Sequence, residues 1–245
     1  MRLSVAWVGA LALVAVSARA DDRARYALEL SGVRYGQVRA TVESDNTLKL
    51  GAQEIAPSLV TLVDTFAQGK PVKRDVRLTS GAVVRKAEGA RLLSVKLPAL
   101  GSGGAADLEL AFNAPSITTS PLLSAKEAPA PPVSARITSF RVELTGMPTI
   151  EAPKLDAITL TQKPDGSAAT RGEIAIEVAA GGAPPFVAWH KAKASPKTLR
   201  VEYVGAEGAV ILKLSFDRCT PSSVKPLGAS GTTRITLACA ALKTT

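Results

Sequence analysis

The segment Tyr26–Gly32, YALELSG, returns 114 residues later as Phe140–Gly146, FRVELTG. Glu, Leu and Gly recur unchanged, and the other positions keep their broad type except Ala27 and Arg141. In both copies the aromatic, the middle aliphatic and the Leu alternate with other residues. That is the period of a half-buried strand running into a glycine turn. A period this long exceeds any solenoid unit, so the repeat predicts a duplicated domain.

The chain opens MRLSVAWVGALALVAVSARADD. Arg2 supplies a positive start, Val5 to Val16 an apolar core, and Ala18-Arg19-Ala20 an A-x-A site. The pattern predicts a signal peptide over residues 1–20, since a membrane span wants about 20 apolar residues. No later segment approaches a span, so a soluble periplasmic or secreted protein is expected. The remainder has room for two domains of about 100 residues each. The formal charge is +9 for the chain, and +7 once Arg2 and Arg19 are set aside. Lys and Arg are spread along the chain without a run of five. The plain reading is a solvated basic surface. The sharper one is contact with an anionic polymer or a membrane surface. Nucleic-acid binding would want clustered cations interleaved with aromatics, and aromatics are only 4% here, so no nucleic-acid partner is expected.

Ala56–Gly69 changes period: Leu59, Leu62, Val63 and Phe66 share one helical face, with Pro57 near the start and Gly69 past the end. Strands are expected over Val72–Leu78, Ala82–Arg85, Arg91–Leu97 and Asp107–Phe112, with a turn at Gly101–Gly104. Ser120–Ser134 carries four prolines and reads as a stiff linker. The expected plan is therefore a domain over 21–119, a linker over 120–134 and a domain over 135–245. In the second copy, strands are expected over Arg136–Leu144, Leu155–Thr161, Glu173–Val178, Thr198–Val204, Ala209–Phe216 and Arg234–Leu242. A turn is expected at Lys163–Ser167, and a short helix over Pro184–Lys193 with Phe186 and Trp189 one turn apart. Many short strands with one helix per copy predict a mainly β chain of tandem antiparallel sandwiches or small barrels. Cys219 and Cys239 fall in runs that can pair antiparallel around Pro221–Gly231. They make either a disulfide or two buried thiols.

The order of parts in the second copy resembles the tail tube proteins of contractile phages. FRVELTG is followed by a helix with Trp189. TLRVEYVGAEGAVILKLSFDRCTP then makes a hairpin around Gly205–Gly208, and PLGASGTTRITLACAAL closes the unit. The first copy resembles the same family through PVKRDVR and SVKLPALGSGGAADLEL. The resemblance covers nearly all of the chain after residue 20. It implies a β-sandwich or barrel with one helix per copy, assembly into rings that stack as a tube, and no catalytic residue. The leader, the tandem copies and the cysteines depart from that family's usual single cytoplasmic domain.

Residues that could carry chemistry are few. His190 is the one histidine. It follows Trp189 and reads as a surface or capping residue. Two cysteines and one histidine do not supply a four-ligand zinc set. Gly101–Gly104 lacks the Lys-Ser/Thr of a phosphate loop. Glu29 and Glu143 are repeat-equivalent, which assigns them one structural task, facing a basic neighbour strand. Phe186 and Trp189 read as helix anchors against a sheet. The expectation is a non-enzymatic, exported structural or interaction protein without a cofactor, acting through self-assembly or contact with other envelope proteins. The alternative is a monomeric periplasmic module that binds an anionic or hydrophobic envelope ligand.

Overall fold

The computed structural model describes residues 25–101, 107–122, 134–148, 150, 152, 154–162, 170–228 and 231–244. The 1–20 leader, most of the 120–134 linker, Ser102 to Gly104 and the Lys163–Ser167 turn lie outside the described residues. The first copy carries β1 (Arg25–Leu30), β2 (Val33–Val42), β3 (Thr47–Ala52), β4 (Glu54–Ile55), helix α1 (Pro57–Ala67), β5 (Lys73–Ser80), β6 (Val83–Leu97), β7 (Leu108–Asn113) and β8 (Thr118–Pro121). The second carries β9 (Ala135–Leu144), β10 (Lys154–Leu155), β11 (Ile158–Thr161), β12 (Thr170–Arg171), β13 (Ile174–Ala179), α2 (Pro184–Ala192), β14 (Lys197–Gly205), β15 (Val210–Leu227), β16 (Thr232–Ala238) and β17 (Ala241–Thr244). The chain is mainly β.

The opening repeat behaves as its alternation requires. Tyr26, Leu28 and Leu30 of β1 are buried, and Ser31-Gly32 turns the chain with φ of 47° and 84°. Two successive left-handed residues make the two-residue turn whose twist matches an antiparallel hairpin. β1 then pairs with β2 on one side and β5 on the other. β2 pairs with β3, β3 with β7, β7 with β6, and β6 with β5. The circuit closes a six-stranded barrel. Closure leaves no free edge within the ring. Helix α1 buries Leu59, Leu62, Val63 and Phe66, the four residues its periodicity selects. It touches β6 of the barrel and β15 and β17 of the second sheet.

The second sheet runs β10-β13-β16-β15-β14-β9-β4, with β17 also on β15. β9, β14, β15 and β16 neighbour one another as β1, β5, β6 and β7 do, and β13 lies on β16 as β3 lies on β7. One position differs. Where β2 bridges β1 and β3, the chain after β9 makes one bridge, Val142 to Ile150. It then pairs two residues of β10 with β13. β11 departs to pair with β6 of the barrel, Ile158 opposite Leu97 through Thr161 opposite Ser94. In return β4 pairs with the start of β9, Glu54 opposite Arg136. The buried apolar side chains of both sheets form one contiguous cluster.

Four expectations change in detail. Leu155–Thr161 is not one strand: Leu155 ends β10 and Ile158–Thr161 is β11, because the two pieces pair with different strands. Val83 to Arg85 and Arg91–Leu97 belong to one strand of 15 residues, β6, and Ala82 lies in the turn before it. Gly89, at φ 60°, and the buried small residues Ala87 and Ala90 carry the ladder across an irregularity instead of ending it. Pro221 does not open a loop, because β15 runs on to Leu227. Its β14 partner ends at Cys219, and a proline is tolerated where its nitrogen faces an unpaired side. Arg234–Leu242 is interrupted after Ala238, and β16 and β17 lie end to end along the same edge of β15.

Tyr203 of β14 is fully buried, and its hydroxyl has no hydrogen-bond partner. Burial alone pushes its ionisation well above the ordinary tyrosine range. An unpartnered buried hydroxyl costs about 1–3 kcal/mol. Tyr203→Phe is therefore expected to raise stability by about 1 kcal/mol in urea unfolding at neutral pH. Because the folded-state value is raised, Tyr203 does not weaken the fold below the unfolded tyrosine range. It does so as pH rises above about 10, where only the unfolded chain ionises. The alkaline loss of stability should be smaller in Tyr203→Phe than in the parent.

Candidate functional site

The barrel carries an open groove of about 690 Å³ on its outer face, crossing β2, β3, β7, β6 and β11. Strand alternation builds it. Leu50 and Leu110 point into the core, so their neighbours Lys49, Gly51, Glu109 and Ala111 point out. Register then aligns two cross-strand rows. One is Arg39, Gly51, Glu109, Lys96 and Thr159. The other is Thr41, Lys49, Ala111, Ser94 and Thr161. Small residues at the centre leave the depression, and charged side chains stand around it.

Those charges are matched locally. Lys96 Nζ donates to Glu109 Oε1 at 2.7 Å, and Lys49 Nζ to Glu43 Oε1 at 2.5 Å. Arg39 Nε donates to Asp107 Oδ2 at 3.0 Å, and its Nη2 contacts the same oxygen. The Asp107 side chain is 4% exposed, and its Oδ1 has no partner. Gly51 is what admits this carboxylate: a Cβ there would sit 2.8 Å from Asp107 Oδ2. The groove is thus a polar trough with cations and carboxylates in alternation.

The residues singled out in the sequence do not gather at this groove. Glu29 lies opposite Arg77 on β5, and Glu143 lies opposite Arg200 on β14. The ion pairs measure 4.0 and 3.5 Å. Each repeat glutamate thus faces an arginine on the equivalent neighbour strand, the structural task its recurrence suggests. Phe186 and Trp189 are buried, and Trp189 Nε1 donates to the Ser195 carbonyl at 3.2 Å. His190 is exposed, and its Nδ1 donates to the Pro221 carbonyl at 3.0 Å. A carbonyl can only accept, so this nitrogen carries the proton. No group of three His, Cys, Asp or Glu side chains suited to a metal occurs among the described residues.

Cys219 and Cys239 form a disulfide. Thr220 pairs with Ala238 and Asp217 with Ala241, which sets the two cysteines opposite each other where β16 gives way to β17. The bond bridges the break in the ladder. Sequence reasoning named the pair but missed the groove. Its signal was Gly51 and Ala111, each two residues after a charged residue (Lys49, Glu109) on the same strand face, and register decides whether such residues meet. Neither a protein-family model nor a curated protein matches this chain.

The disulfide closes a separation of 20 residues. A loop of that length is worth about 3 kcal/mol in the chain-entropy account. The double variant Cys219→Ser, Cys239→Ser should lose about that much in urea unfolding. Alkylation of the unreduced, unfolded parent should add no mass.

Proposed function

We propose that this is an exported, non-enzymatic interaction protein, built of tail-tube-like units, that works through contacts with its own copies or with other envelope proteins. One observation carries the reading: the unequal edges of β1 and β9. β1 is hydrogen-bonded on both sides. β9 has β14 along its length, but beyond that, among the described residues, it pairs only with β4 at Ala135 and Arg136 and through the bridge at Val142. Thr145 N–H donates to the Thr198 carbonyl, and that register carries the N–H groups of Glu143 and Arg141 toward β14 as well. The backbone of Phe140 faces the other side, where no described strand pairs with it. A strand edge of this kind is a template for strand addition by another chain.

The disulfide and the want of a membrane-spanning helix among the described residues agree with export. The second reading, a monomeric module for an anionic envelope ligand, is favoured by the polar groove across the barrel. Size-exclusion chromatography with light scattering separates the two. Concentration-dependent mass above one chain is expected from strand addition. A strict monomer at high concentration would overturn self-assembly and leave contact with other envelope proteins or the binding module.

A further inference from the structure

The β5–β6 hairpin concentrates charge in a way its sequence only half discloses. Between Lys73 and Arg91 there are six Lys or Arg and two acids, Asp75 and Glu88. The register places cations directly opposite cations twice, Lys73 against Arg91 and Arg77 against Lys86. A third such pair, Arg25 against Arg39, lies further round the same barrel. Among the described residues, no pairing on the barrel sets acid against acid. Like charges directly opposite on a sheet are destabilising.

These side chains share the outer face. Arg77 lies between buried Val76 and Leu78, Arg91 between buried Ala90 and Leu92, and Lys86 beside buried Ala87. One cross-strand row reads Arg34, Glu29, Arg77 and Lys86. Its single acid stands among three cations. A second opposed pair, Lys73 and Arg91, lies further along the hairpin, with Asp75 and Glu88 between the two pairs. Asp75, the nearest other acid, is engaged by the Gly89 N–H at 2.7 Å. This face lies round the barrel from the groove.

We propose that the outer face of β5–β6 with Arg34 is a docking surface for a linear acidic polysaccharide, a chain with one carboxylate on each sugar. A sheet retains opposed cations at a cost to its own stability, and an external polyanion relieves that cost. Within each opposed pair, Arg77 with Lys86 and Lys73 with Arg91, the cations stand about 4.8 Å apart across strands, comparable to the advance of one sugar along an extended chain. Each guanidinium forks onto a carboxylate. A bilayer fits less well. Among the described residues the exposed large apolar side chains are the scattered valines Val33, Val42, Val83 and Val210, and Val83 is the one belonging to this hairpin. The inference is independent of whether the chain assembles.

The test is calorimetric titration of the exported full chain with oligogalacturonate at low and physiological salt. The comparison set is the double variant Arg77→Gln, Lys86→Gln and the control Lys213→Gln on the second sheet. Binding that weakens with salt is expected in the parent and the control. The double variant should bind about tenfold more weakly, as loss of two exposed charge-assisted contacts implies. Its thermal midpoint should stay close to the parent's, because loss of the opposed cation pair offsets loss of the Arg77–Glu29 ion pair. Weaker binding at an unchanged midpoint is what a merely structural role would not give. The proposal is overturned by absence of binding to oligogalacturonate at low salt. It is also overturned by unchanged affinity in the double variant, or by equal or tighter binding of phosphatidylglycerol vesicles or duplex DNA.

Discussion

The long strand Val83–Leu97 holds the molecule together, because both of its edges are used twice. One edge takes β5 along its first part and β11 along its last. The other takes β8 first and β7 after it. The β7 contact closes the barrel, and the β11 contact ties in the second half of the chain. Both depend on the strand continuing through Gly89 and the small residues beside it. A strand ending at Lys86 would leave β7 and β11 without a common partner. The groove would then lose Ser94, Lys96 and Thr159 from its wall.

The second sheet keeps part of the barrel's strand order and gives part of it up. The glutamate-arginine facing pairs, the aromatic helix anchor and the order around β15 are kept. The counterpart of β2 is given up, and its stretch of chain is divided. Two residues remain with β13, and four leave to extend β6. Hydrogen bonds lost within one sheet are thereby remade between sheets. Buried backbone groups must be paired somewhere, so the departure of β11 implies an acceptor edge of matching length. β6 supplies it where β5 has ended.

Much of this was legible before any coordinates. Alternation in YALELSG and FRVELTG located both first strands, and the 3.6-residue period of Leu59, Leu62, Val63 and Phe66 located α1. These are local signals, set by neighbours a few residues apart. Strand partners are not local. Ile158–Thr161 reads the same whether it joins β9 or β6, since alternation fixes which face is buried and leaves the partner open. The groove was hidden for the same reason: Gly51, Ala111 and Ser94 become neighbours only once β3, β7 and β6 are aligned. Proline misled in the other direction. Pro221 and Pro226 look like loop residues until β15 is seen to have one partner beyond Cys219.

Those prolines also bear on why strand addition happens where it does. The stretch of β6 that receives β11 corresponds in β15 to the residues after Cys219, the part left unpaired when β14 ends. An open edge there would accept a strand from any chain, as β6 accepts β11. Pro221 and Pro226 remove two donors from that ladder, and His190 occupies the Pro221 carbonyl. The equivalent edge is thus open in the copy where the chain supplies its own strand and blunted in the copy where it does not. Blunting one edge gives weight to the edge left open. Phe140 on β9 has no proline beside it, and no described side chain caps its outward backbone. Of the two edges exposed by the loss of the β2 counterpart and the end of β14, the chain has closed the second and kept the first.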